Sequence, residues 1–214
     1  LDLAFPGSYT GETTERICYA VLKHTAETSC GIVLESAPLH YDCIPHVRLF
    51  KPDRTIKKLS SALKLNIGRI TKNLEIPRTQ LMHYLVDRGI PAFSIVCGGP
   101  NLFDSHTGDR IFNGIINLLL TMKILSLPKE KFKNPDMSFF SSDDEQIVST
   151  NFSGLFIPKV KVGDPVMEGQ LLGILQNVST GEILKKILSP VKVYFIRNFN
   201  YDFFFFVLQN SYFN

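Results

Sequence analysis

Hydrophobic positions change their period along this chain. Up to about residue 125 short apolar runs alternate with stretches whose apolar residues recur every three or four positions, and beyond it the helical period is lost. Ile17, Ala20, Val21 and His24 fall at helical spacing behind the acidic and hydroxyl residues 10–15, which predicts an amphipathic helix ending before Gly31. Ile32-Val33-Leu34 predicts a buried strand, and residues 46–50, introduced by Pro45 and stopped by Pro52, predict a second. Segments 57–65 and 81–86 read as short helices, the latter closed by Gly89. Residues 91–97 read as a central strand running into Gly98-Gly99-Pro100, either a plain turn or one that lets the backbone approach a ligand. The best helical pattern is 109–125, with Ile111, Ile115, Leu118, Leu119 and Met122 on one stripe. Strands alternating with helices predict an α/β layer architecture.

Residues 128–145 are polar, with Pro, Ser and Asp clusters, and read as a linker. After them 154–158, 160–166 and 169–175 are short strand-like runs punctuated by Gly and Pro, the pattern of a small all-β sandwich or barrel. The apolar run 203–208 has strand length and, left unpaired, would be an aggregation hazard. The expected organisation is an α/β domain over 1–135, then a linker and β domain over 136–214. The stretch 30–49 runs from strand through polar loop to strand, which is where α/β enzymes keep their chemistry.

Composition narrows the class. A chain of 214 residues buries roughly 70% of its unfolded surface, and 44% hydrophobic with 20% charged residues is the balance of a soluble globular protein. The 23 basic and 20 acidic side chains leave a net charge of +3 with no long basic run, so no nucleic-acid footprint is expected; KEKFK at 129–133 is mixed in sign and reads as a solvated loop. No run of about 18 apolar residues is present to span a bilayer, and the first residues lack the regions of a signal peptide. Cys18, Cys30, Cys43 and Cys97 have no CxxC spacing, which points to reduced thiols in a cytoplasmic protein. Two Asn-x-Ser patterns, at Asn151 and Asn177, carry no weight without a secretion signal. A start on Leu1, without methionine, suggests that an upstream segment has been removed.

The β segment KVGDPVMEGQLLGIL followed by ILSPVKVYF is similar to the barrel-sandwich module of biotinyl and lipoyl carrier domains. A carrier needs an exposed lysine at a hairpin tip, and the expected tip, 177–181, has none, so the module reads as structural. The whole order of segments resembles the zinc-dependent succinylglutamate desuccinylase and aspartoacylase family, relatives of zinc carboxypeptidases. DLAFPG (2–7), TER (14–16), IPHVR (44–48), IPAFSIVCGGP (90–100), the 109–125 helix and the terminal β module carry that resemblance. It implies a mixed-sheet α/β/α zinc-carboxypeptidase-like domain, incomplete here, followed by a small all-β barrel-sandwich domain. It also implies zinc held by two His and one Glu with an open water position, a Glu base that takes the water's proton, and arginines that grip substrate carboxylates.

Several of those positions depart from the family pattern. The H-G-x-E motif that supplies two zinc ligands does not occur, and the Asn-Arg pair expected between Leu3 and Ala4 is absent. Separated from Pro45 by nine residues, where the His of an Asp-Leu-His motif is expected as third ligand, stands Glu35. The general base is expected where Val96 stands, and valine has no proton chemistry. His40 and His46, with Asp42 nearby, are candidates to rebuild a metal site, but their spacing matches no tight ligand motif and solvated or hydrogen-bonded loop histidines are expected. His106, after Asp104, reads as part of a helix N-terminus. Cys97 lacks an identifiable His partner and reads as a buried structural thiol rather than a nucleophile. Arg48, with His46, is the family-like candidate for substrate binding, to an anion such as a small N-acyl amino acid; a surface ion pair explains Arg48 equally well.

Three functions follow. The chain is a catalytically inactive relative of N-acyl amino acid amidohydrolases, kept for binding or scaffolding; or a working zinc hydrolase completed by a missing N-terminal segment or a partner chain; or a carrier-like interaction module over 147–214. Losses in separate segments favour the first, with zinc bound weakly or not at all.

Overall fold

The computed structural model describes residues 1, 3–25, 27–36, 41–72, 77–97, 105–126, 137–199 and 205–209. They form two compact units. In the first, a five-stranded mixed sheet has the order β1 (Gly31–Ser36), β5 (Ala92–Cys97), β3 (His46–Phe50), β4 (Ile67–Thr71), β6 (Ser138–Ser141). Strand β3 runs antiparallel to β5 and parallel to β4, and β4 is parallel to β6. With it go helices α1 (Thr13–Thr25), α2 (Arg54–Ser61), α3 (Leu81–Asp87) and α4 (Ser105–Thr121).

The two-residue period of β3 puts His46, Arg48 and Phe50 on one face and Val47 and Leu49 on the other. Val47, Leu49, Phe93 and Ile95 are wholly buried, which is the apolar burial that makes β3 and β5 central strands. On the first face α3 lays Met82 and Leu85 against Phe50 and Ala92, with Val33, Leu81, Val86 and Ile90 around them. Each such large side chain contributes about 1.5–3 kcal/mol on burial. Gly31 belongs to this packing, since a Cβ there would lie 2.7 Å from Leu85 Cδ1.

Strand β3 matches the pattern reading residue for residue and α3 starts at Leu81 as read, while α1, α2 and α4 differ in start or face. α1 buries Cys18, with Val21, Leu22 and Thr25 half-buried beside it, whereas Ile17 is 44% exposed. The buried face is therefore turned from the one the Ile17 periodicity predicts. The cause is the turn at 5–7: Phe5 is buried, the thiol of Cys18 donates to the Leu1 carbonyl, and Gly7 at φ +73° lies so close that a Cβ would meet Tyr19 N at 2.7 Å. α2 begins at Arg54, ahead of the predicted 57, because the Asp53 carboxylate accepts from Ile56 N at 2.7 Å and caps the helix there. α4 begins at Ser105 and buries Ile111, Gly114 and Leu118; Gly114 is required because a Cβ would sit 2.5 Å from the Leu63 carbonyl oxygen. Strands β4 and β6 were not expected. β4 carries Gly68 and Arg69, which mask its pattern, and β6 lies within the segment read as a polar linker. Gly68 gives way to the Phe139 ring of β6.

The second unit is all β. It holds β2 (Tyr41–Cys43), β7 (Glu145–Val148), β8 (Leu155–Pro158), β9 (Pro165–Val166), β10 (Leu171–Gln176), β11 (Ile183–Leu188), β12 (Val193–Phe199) and β13 (Phe205–Gln209). One sheet has the order β11-β10-β8, the other β2-β12-β13-β7 with β9 also on β12. Val166, Leu172 and Ile187 form its core, flanked by Val148, Phe156, Val160, Val162 and Val191. β13, within the apolar tail, pairs on both sides, with β12 and β7, so that stretch is no open edge. The β10–β11 tip is set by Asn177, whose side-chain oxygen accepts from Ser179 N and Thr180 N.

Candidate functional site

The C-terminal residues of β1 and β5 and the first residues of β3 bring Glu35, Val96, His46 and Arg48 together on the face that α3 covers farther along. Antiparallel register sets His46 directly opposite Val96 and Arg48 opposite Ser94. Arg48 Nη2 donates to Glu35 Oε1 at 2.7 Å, and the two side chains are only 17% and 21% exposed. The same Nη2 reaches Gln80 Oε1 at 3.4 Å. Arg48 is thus in an ion pair, but a largely buried one with the residue at the expected ligand position, not a surface one. Arg69 of β4 stands beside Arg48 in register, which puts a second cation on the same face.

His46 is 1% exposed as the first residue of β3, so of the two environments expected for it, solvated or hydrogen-bonded in a loop, the solvated one does not hold. Val96 is 7% exposed and brings only hydrocarbon to the place where a base is expected. Cys97 is half-buried, and burial pushes its thiol above the usual range, as it does that of Cys30. That is the opposite of what an activated thiolate needs. All four cysteines are free thiols. His106 lies in the first turn of α4, as read from the sequence. His40, Gly98-Gly99-Pro100 and Asp104 lie outside the described residues, as does the side chain of Asp42.

Among the described residues no three His, Cys, Asp or Glu side chains come together as a metal-binding group. Glu35, the one donor at an expected ligand position, spends a carboxylate oxygen on a guanidinium. These residues do not fit a zinc site that needs three protein ligands and an open fourth position.

Sequence reasoning passed over three participants. Gln80 is the N-cap residue of α3 and Ser94 is a small polar residue inside an apolar strand; neither carries a motif. The third is a network on the far end of α3. His83 Nε2 meets Asp87 Oδ2 at 3.0 Å, Lys51 Nζ meets Asp87 Oδ1 at 2.9 Å, and the buried His83 ring packs on Phe50 with centroids 4.4 Å apart. The i, i+4 spacing of His83 and Asp87 was its only sequence signal.

No family model and no curated protein matches this sequence. Solved structures do. An ectoine utilization protein from Ruegeria pomeroyi superposes with a TM-score of 0.78 at 14% identity, over 98% of this chain and 69% of that one. A succinylglutamate desuccinylase/aspartoacylase from Rhodobacter sphaeroides gives 0.76 at 17%, over 100% and 68%. An aspartoacylase family protein from Mesorhizobium loti gives 0.72 at 19%, over 99% and 67%. No helix among the described residues is long and apolar enough to cross a membrane. At these identities the likeness is one of fold: this chain has the mixed α/β fold of the succinylglutamate desuccinylase/aspartoacylase proteins.

Proposed function

We propose that the chain is a relative of the zinc-dependent amidohydrolases that deacylate N-acyl amino acids, of the N-succinylglutamate or N-acetylaspartate class, and that it is catalytically inactive. The observation that carries this is the pairing of Glu35 with Arg48 beside a valine at the base position. Amide hydrolysis by such an enzyme needs a metal to acidify water and a group to take the proton. Val96 has no proton to exchange, and the Glu35 carboxylate is held by a cation. Arg48 and His46 remain as groups suited to a small anionic N-acyl amino acid, and the protein acts as a binding or scaffold protein. The all-β unit fits a structural barrel-sandwich module, in keeping with a hairpin tip that offers no lysine. Four free thiols suit a reducing cytoplasm.

A second reading has the metal ligands supplied by a further segment or a partner chain. It draws on the 67–69% of the length of those three structures that this chain spans. It still requires a base where Val96 stands. Metal analysis of the purified protein with assays on N-acetylaspartate and N-succinylglutamate separates the two. Sub-stoichiometric zinc with no turnover is expected; stoichiometric zinc with turnover overturns the inactive assignment.

A further inference from the structure

Arg48 is only partly satisfied. Its Nη2 serves both Glu35 and Gln80, while its Nε is buried and has no hydrogen-bond partner among the described residues. A guanidinium binds a carboxylate best through two parallel N–H donors, with Nε and an Nη as one such fork. Here the internal carboxylate uses one side of the fork and leaves a buried donor without an acceptor, an arrangement that calls for an explanation such as an anion.

We propose that Arg48 is the core of a small-carboxylate site and that Glu35 is its built-in competitor. In the resting chain the Glu35 carboxylate fills the site; a ligand carboxylate enters by displacing it and taking up Nε and Nη2 together, with Gln80 at the rim. A tethered carboxylate competes at an effective concentration in the millimolar range, so the native protein binds such ligands weakly and removal of the Glu35 charge exposes the site. The proposal rests on the anion-binding role proposed above for Arg48, though not on catalytic inactivity, because no metal or base takes part.

The test uses the full chain, Glu35→Gln, and the double variant Glu35→Gln/Arg48→Gln. All are studied with a chelator present, and acetate is titrated against chloride at equal ionic strength. Acetate binding by calorimetry is expected to be about tenfold or more tighter in Glu35→Gln than in the native chain, and lost in the double variant. Should Glu35→Gln fail to fold in chloride, acetate is expected to restore its folded fraction, because a ligand that binds only the native state stabilises it. Equal affinity of native and Glu35→Gln proteins, binding that survives loss of Arg48, or an unfolded Glu35→Gln that acetate does not rescue would each overturn the proposal. Zinc-dependent turnover, were it found, would refute the inactive assignment and leave this result standing.

Discussion

Arg48 and Glu35 meet at 2.7 Å although their strands are not neighbours: β5 lies between β3 and β1, so the arginine reaches across two strand spacings, about 10 Å. A side chain so extended, with little exposure, has few alternative conformations and little water to fall back on. The pair lies between the surface case, worth about 0–1 kcal/mol, and the buried case, where removing one partner costs about 3–5 kcal/mol. A double-mutant cycle with Glu35→Gln and Arg48→Met, read by urea unfolding, should give a coupling of about 1–3 kcal/mol. A coupling near zero would show that the two groups do not depend on each other.

The reach of Arg48 depends on what it crosses. Ser94, opposite Arg48 on β5, is wholly buried, and its hydroxyl donates to Met82 Sδ at 3.2 Å. Its small side chain leaves the guanidinium a path over the strand. Ser94→Leu should both overpack α3 and block that path, costing about 1–3 kcal/mol, with Ser94→Ala close to neutral by comparison. If the leucine variant is as stable as the alanine one, the path is not sterically defined.

How far the sequence foretold this site depends on the kind of signal each residue left. Strand β3 was readable because Pro45 and Pro52 bracket it and its residues are β-formers, and α3 because Gly89 ends it. The positions of Glu35 and Val96 followed from their spacing to IPHVR and CGG, and the sheet register does set Val96 against His46. The contact between Glu35 and Arg48 was not readable, since it joins residues 13 apart through a third strand that arrives only at residue 92. The turned face of α1 was hidden for a similar reason. Periodicity sees only the apolar residues of the helix itself, whereas the N-terminal turn that covers Cys18 selects the face. β4 and β6 escaped because Gly68, Arg69 and the serines of β6 weaken a pattern that parallel pairing then overrides.

Asp87 gives the fold a predictable acid sensitivity. The hydrogen bond from Lys51 is the main influence holding its carboxyl below the ordinary value, helped by the charges of His83 and Lys51 against a smaller desolvation effect. A carboxyl depressed in the folded state contributes stability that is present above its unfolded value of about 3.9 and is lost as pH falls through the lower folded value. The side chains of Lys51 and Asp87 are both 48% exposed, so solvent screening keeps the contribution to about 0.2–1 kcal/mol. Unfolding of the native protein and Asp87→Asn should therefore differ by that amount at pH 7 and converge toward pH 3. A gap that stays constant over this range would assign the effect to something other than the charge of Asp87.

Cys97 follows Val96 at the end of β5, and its reactivity bears on whether that strand end keeps any covalent chemistry. A nucleophilic thiol is one whose thiolate is favoured by nearby positive charge or a helix N-terminus; burial does the reverse and raises the Cys97 thiol above its ordinary value. Sign and consequence follow directly: at neutral pH less thiolate is present than in a free cysteine, and the fraction rises only in alkaline solution. Iodoacetamide labelling of the native protein, with each cysteine followed by peptide mapping, should be slower at Cys97 than at free cysteine at pH 7.5. The gap should narrow as pH rises past the ordinary thiol range, and Cys30, raised by burial in the same way, should behave alike. Rapid labelling of Cys97 at pH 7.5, flat with pH, would mean that the thiol is already ionised and would reopen nucleophilic chemistry at the end of β5.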